Sequence, residues 1–160
     1  MGQWMSVDYG ARRIGVAIAD QNHRIAFPTD TLPATGSAPK DAAAILSWAR
    51  DHNVSGVVVG LPMNMDGSIG PQGRLCQTLA DRLRRAGQVH VELWDERLSS
   101  YQADIYMEQA SVRRSRRKGL RDALAAQVIL QSFLDARQPG EPPTVDPGPP
   151  PESADQPNTN

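Results

Sequence analysis

The spacing of apolar residues changes along this chain, and each change marks a different kind of element. Trp4, Met5 and Val7 predict a short strand over 4–7 that ends at Asp8, and Tyr9 to Arg13 supplies a turn. Ile14, Val16 and Ile18 then alternate with smaller residues, which predicts a second strand over 14–19. A third strand is expected near 25–27, before Pro28. Turns this short do not hold crossover helices, so the first three strands should form an antiparallel meander.

The period then lengthens. Ser37 suits a helix N-cap and Pro39 an early helical position, with Ala42, Ile45, Leu46 and Ala49 on one stripe of a helix reaching about His52. Val57-Val58-Val59 lies in a strand predicted over 54–60, apolar on both faces and therefore central and parallel. Leu75, Leu79 and Leu83 predict a helix over 72–85, followed by a fifth strand over 89–94 that ends at Asp95-Glu96. Ser99 and Gln102 form a capping box for a helix to about Ala110, and a last helix is expected over 120–137. The order β-β-β-α-β-α-β-α-α implies an α/β fold: a mixed five-stranded sheet, with an antiparallel β1-β2-β3 meander, two parallel strands and helices packed on both faces.

Composition sets the boundaries of that fold. The chain has 160 residues, enough for one domain with a substantial core, and eight of its thirteen prolines fall after residue 137. That stretch holds Glu141, Asp146, Glu152 and Asp155 but no Lys or Arg, and almost no large apolar side chains. It cannot bury enough surface to offset its ordering entropy. The expected division is a folded domain over 1–137 and a disordered, acidic, proline-rich tail over 138–160. Removing the tail's four acids from a net charge of −1 leaves +3 on the body, which permits an anionic partner. One cysteine, Cys76, rules out an internal disulfide. With no long apolar run, a cytoplasmic protein that does not engage a membrane is expected.

Three acids stand where chemistry could sit. Asp8 closes an apolar strand before a glycine turn, beside the edge where ligands approach an α/β sheet, although an aspartate there also suits a plain turn. Glu96 closes the fifth strand with Asp95 as its competitor, since adjacent side chains on an extended segment point opposite ways. Asp122 shares a helix face with Ala126, Ile129 and Phe133, which is the apolar stripe; a first-turn acid that complements the helix dipole accounts for the turn but not for the inward face. Three converging carboxylates would need a cation, and hard oxygen donors suit Mg²⁺ or Mn²⁺. His23, His52, His90 and Cys76 show no zinc-ligand spacing. Residues 113–121 hold six cations in nine positions, either a solvated charged turn or a grip on a phosphate backbone. A second candidate loop, Gly60-Leu61-Pro62-Met63-Asn64-Met65-Asp66-Gly67-Ser68, follows the central strand.

In order, Val7-Asp8-Tyr9-Gly10-Ala11-Arg12-Arg13-Ile14-Gly15, Gly60-Leu61-Pro62 with Asn64, Asp95-Glu96-Arg97-Leu98-Ser99, and Arg117-Lys118 through Asp122 to Gln131 resemble the YqgF/RuvX family. The likeness runs over about residues 4–136. Ala11 departs from the Thr or Lys common there, and the tail has no counterpart.

The resemblance implies an RNase H-like fold and a nuclease that trims the 5′ end of pre-16S rRNA, or alternatively a Holliday junction resolvase. It carries the acidic, metal-holding positions onto Asp8, Glu96 and Asp122. It makes Arg12, Arg13, Asn64, Arg97, Arg113, Arg114, Arg116, Arg117 and Lys118 candidate contacts to nucleic acid, either pre-rRNA or branched DNA. Two other readings compete. A phosphate loop of the actin-like ATPases would need a second nucleotide-binding half, and a P-loop fails because Val16 stands where its Lys belongs. A non-catalytic RNA-binding protein would keep the basic run and use the acids only structurally.

Overall fold

The computed structural model describes residues 2–98, 118–137, 140, 142 and 143. The elements run β1 (Gln3–Tyr9), β2 (Arg13–Ala19), β3 (Ala26–Pro33), α1 (Ala38–Asp51), β4 (Val54–Leu61), α2 (Pro71–Arg85), β5 (His90–Asp95), a 3₁₀ turn (Glu96–Leu98) and α3 (Lys118–Ala136). The sheet order is β3-β2-β1-β4-β5. Strands β1, β2 and β3 pair antiparallel, while β4 runs parallel to both β1 and β5. The mixed five-stranded sheet is as expected. The capping box at Ser99 and the basic positions Arg113, Arg114, Arg116 and Arg117 lie outside the described residues, and Lys118 opens α3.

Alternation along the strands builds two cores. Met5, Val7, Tyr9, Ile14, Val16, Val57 and Val59 face α1 and α2 with Ile45, Leu79 and Leu83. Trp4, Ala17, Ala19, Ala26 and Val58 face α3 with Ala126, Ile129, Leu130 and Phe133. Val57, Val58 and Val59 are all fully buried, which is why β4 reads as apolar on both faces.

The remaining differences have local causes. Strand β3 continues past Pro28 to Pro33 because it is an edge strand, where a missing N–H costs no ladder bond, and its register against β2 shifts at Thr29. Leu75 is exposed, not part of the α2 stripe; Cys76, Leu79, Ala80 and Leu83, three and four apart, form the buried face instead. Beyond the boundary expected at residue 137, Pro143 packs over Gly56 beside the Trp4 ring, and Gly140 lies next to the Asn22 carbonyl.

Helix α1 starts as its sequence implies, with Ser37 Oγ accepting from the Lys40 N–H and Pro39 in the first turn. Helix α3 is fastened to the sheet by polar contacts as well as apolar ones. Ser6 Oγ donates to the Ala126 carbonyl at 2.6 Å, Trp94 Nε1 donates to Ser132 Oγ at 3.0 Å, and Gln127 and Gln131 pair with the backbone of Ala26. These bonds hold the body of α3, and the Asp122 that lies one turn before Ala126, against the sheet. Among the described residues no helix is long and apolar enough to cross a membrane.

Candidate active site

Trp4 and Ser6 point toward α3, so two-residue alternation turns Asp8 to the same face. Asp8 sits on the middle strand of the five and pairs across the ladder with Gly15 of β2. A Cβ at Gly15 would collide with the Asp122 carbonyl; the glycine is what lets α3 settle at Asp122 directly onto β2. On the other side, a Cβ at Gly60 of β4 would fall 2.7 Å from Glu96 Oε1. The three acids are therefore laid across three neighbouring strands, Asp122 over β2, Asp8 on β1 and Glu96 over β4.

Their electrostatics follow this order. Burial pushes the Asp8 carboxyl up to about 6, and the Asp122 carboxylate adds to the rise. Burial also pushes Glu96 up to about 7, with further contributions from Asp8 and then Asp95. The Cys76 thiol, under the site on α2, is pushed up to about 12 by burial and by the charges of Glu96 and Asp8. Among the described residues no three His, Cys, Asp or Glu side chains stand close enough to hold one metal ion. Asp122 acts on the Asp8 carboxyl, and Asp8 on Glu96, so Asp8 lies electrostatically between the other two.

A bend after β5 separates Glu96 from Asp95. The chain leaves β5 into the 3₁₀ turn, where Arg97 clasps Asp95 through Nε (3.0 and 3.1 Å) and a terminal nitrogen (2.7 Å), while the Arg97 N–H also donates to Asp95 Oδ1. That clasp, made first through the Arg97 side chain, holds Asp95 below the usual carboxylate range. Glu96 is left facing Asp8.

The candidate nucleic-acid contacts are unevenly placed. Arg12 is exposed on the β1–β2 turn. Arg13 Nε lies 2.9 Å from Asp122 Oδ2. Arg97 reaches from Asp95 to the Asn64 carbonyl at 3.4 Å and so ties the 3₁₀ turn to the loop after β4. Asn64 Nδ2 donates to Ser68 Oγ, and Ser68 donates to Asp66 from both its N–H and its hydroxyl, so this loop is closed on its own polar groups. Met65 at its tip is 97% exposed.

One polar cluster beside the site was not anticipated. Asp41 is fully buried; its Oδ2 accepts from the Tyr9 hydroxyl at 2.5 Å, and its Oδ1 accepts from the Thr35 N–H and hydroxyl at 2.9 Å. Burial alone would push Asp41 up, but these bonds outweigh it and hold the carboxyl below its usual range. Tyr9 in turn accepts from Gln72 Nε2 through its carbonyl at 2.7 Å, so α1 and α2 both anchor the residue after Asp8. In the sequence, Asp41 is indistinguishable from an ordinary first-turn acid.

The family description "RuvX: Holliday junction resolvase" matches residues 2–136, the whole of this sheet, its helices and all three acids. The chain belongs to the RuvX family. Relatives named "Putative pre-16S rRNA nuclease" include one from Anaeromyxobacter dehalogenans, 47% identical over 135 residues, covering 84% of this chain and 98% of the relative. One from Myxococcus xanthus is 44% identical, covering 84% and 89%, and one from Bacillus cereus is 40% identical, covering 83% and 98%. Among solved structures, T. thermophilus RuvC in complex with Holliday junction substrate shares the fold at a TM-score of 0.56 and 14% identity, covering 87% of this chain and 99% of that one. The fold is thus RNase H-like, and the RuvX family is one of nucleases acting on phosphodiester bonds.

Proposed function

We propose that this RuvX-family chain is a divalent-metal-dependent nuclease that processes the 5′ end of pre-16S rRNA in the cytoplasm, with Asp8, Glu96 and Asp122 as its acidic site. The observation that carries the reading is the position of Asp8, partly buried on β1 between carboxylates carried by two other elements, with its carboxyl pushed up to about 6. A fold held only for binding gains nothing from gathering partly desolvated like charges, which disfavour one another's ionisation.

The donor set fits Mg²⁺ or Mn²⁺. It is all carboxylate oxygen, it is arranged as pairs, and such ions bind through one or two carboxylates together with substrate phosphate. Asp122 Oδ2 is buried and accepts no well-aligned hydrogen bond; its one close partner is the Arg13 guanidinium at 2.9 Å, a cation position that a metal ion could take over. A bound ion there supplies an activated water and stabilisation of the leaving oxygen. The chain's own residues do the rest. Asp8, rigid on the central strand, sets the origin of the site. Glu96, pushed up to about 7 by burial and by its neighbouring carboxylates, gains most from a cation that would offset their repulsion. Arg12, exposed on the β1–β2 turn, can hold the phosphate backbone, a role the sequence also suggests for the basic run over 113–118.

The rRNA substrate is taken from the names of the relatives at 40–47% identity. A second reading, cleavage of four-way DNA junctions, is favoured by the family description itself. Purified protein incubated in parallel with precursor rRNA and with four-way junctions, in Mg²⁺ and in chelator, separates them. The proposal requires metal-dependent cleavage of the rRNA at its 5′ side; cleavage of junctions alone would replace it with the second reading.

A further inference from the structure

Asp122, unlike Asp8, stands against a cation of the chain itself: the guanidinium of Arg13. The placement of this ion pair follows from the strand. Ala17 and Ala19 of β2 face α3, so Arg13 and Gly15, four and two residues before Ala17, project to that same face. Gly15 draws the backbone of Asp122 down onto β2, and Arg13 meets its carboxylate from the open end of the strand.

The contact is close but not rigid. Nε and Oδ2 are 2.9 Å apart, yet Oδ2 accepts no hydrogen bond of good geometry, so charge rather than a paired fork holds the two together. The Arg13 side chain is 46% exposed and that of Asp122 28%, which makes the guanidinium reachable from solvent. A phosphodiester offers two oxygens that match the planar fork of Arg better than this misaligned contact does.

We propose that Arg13 is a positioning residue that acts as an internal cation on the Asp122 side of the site, and that a substrate phosphate draws it off and so frees Asp122 for a divalent ion. The inference rests on the metal-dependent reading above. The ion pair holds Asp122 toward β2, on the far side of Asp8 from Glu96 over β4. It also couples completion of the site to arrival of nucleic acid, so an ion is not held in full until there is a bond to cut.

The test is a Mn²⁺ titration of the metal-free full chain, followed by calorimetry and by the electron spin resonance signal of free Mn²⁺, with no nucleic acid present. Arg13→Gln should bind Mn²⁺ several-fold more tightly than the natural protein, or take up an additional ion. Arg13→Lys, which keeps the charge and the stem but not the fork, should show a smaller gain. Adding Asp122→Asn to Arg13→Gln should cancel the gain. A residue that merely braces α3 would lower the melting temperature and leave Mn²⁺ affinity unchanged or weaker. Equal affinity and stoichiometry in the natural protein and both Arg13 variants would overturn this inference alone. Absence of Mn²⁺ binding by every form would remove the metal-dependent reading, and this inference with it.

Discussion

Glu96 reaches back from the end of β5 to stand over Gly60 on β4, so close that a Cβ there would fall 2.7 Å from its Oε1 and 2.6 Å from Ile129 Cδ1. Both atoms are the ends of flexible side chains and can move aside. Gly60→Ala should therefore cost only about 1 kcal/mol of stability, while displacing the carboxylate and lowering kcat by on the order of tenfold or more. Melting curves alongside single-turnover cleavage check both halves. A loss of stability with full activity would mean that the placement of Glu96 does not matter.

Gly15→Ala tests the opposite edge of the site, and here the obstacle is backbone. The new Cβ would meet the Asp122 carbonyl, which no side-chain rotation relieves. Helix α3 would have to lift, and a loss of about 2–3 kcal/mol is expected, typical of overpacking. Chemical denaturation measures it directly. A variant as stable as the natural protein would show that α3 does not rest on β2 in solution.

The stability of the metal-free protein should depend on pH through Asp8 and Glu96. Both are raised in the folded state, first by burial and then by neighbouring carboxylates, to about 6 and about 7. Their contribution is fully present below the unfolded carboxylate range near 4 and is lost as pH rises through 6 to 7. Asp8→Asn removes that penalty. In chelator it should stabilise the fold by on the order of 2 kcal/mol at pH 8, with almost no effect at pH 4. A fall in melting temperature at pH 8 would mean that Asp8 is not held among like charges.

Asp41 has the reverse sign. Its carboxyl is held low despite its burial, so its contribution is present above the unfolded range and fades only in acid. Asp41→Ala would strand the Tyr9 hydroxyl and the Thr35 N–H, at a cost of about 3 kcal/mol. Urea unfolding at pH 7 is the appropriate measurement.

Much of this architecture can be read from the residues. The three consecutive valines at 57–59 announce a buried central strand, and the Asp122, Ala126, Ile129, Phe133 stripe places an acid on the core face of the last helix. Periodicity also shows its limits at Leu75. Leucines four apart drift around the helix, and Cys76 and Ala80, small and unremarkable in the sequence, hold the buried face instead. The preference for Glu96 over Asp95 needed the 3₁₀ turn, because strict alternation gives both residues an equal claim. Nothing local in the sequence reveals the Arg13–Asp122 pair. It depends on how α3 sits over β2, a long-range arrangement that two glycines and a few polar clips decide.

The basic run carries a separate expectation. Replacing Arg113, Arg114, Arg116 and Arg117 with Ala should weaken RNA binding at low salt. It should also flatten the slope of log affinity against log salt, by about 0.7 for each single-strand phosphate that the run would otherwise neutralise. An unchanged slope would return that run to a solvated surface.

The decisive measurement is cleavage and binding of one RNA, a 5′-extended pre-16S fragment, followed together for the natural protein and Asp8→Asn in Mg²⁺ or Mn²⁺. Asp8→Asn should bind the fragment within about threefold of the natural protein but cleave it at least about a hundredfold more slowly, a loss of roughly 3 kcal/mol in transition-state stabilisation. Cleavage by Asp8→Asn at the natural rate, or by the natural protein at full rate in chelator, would rule out a metal-dependent site built on Asp8.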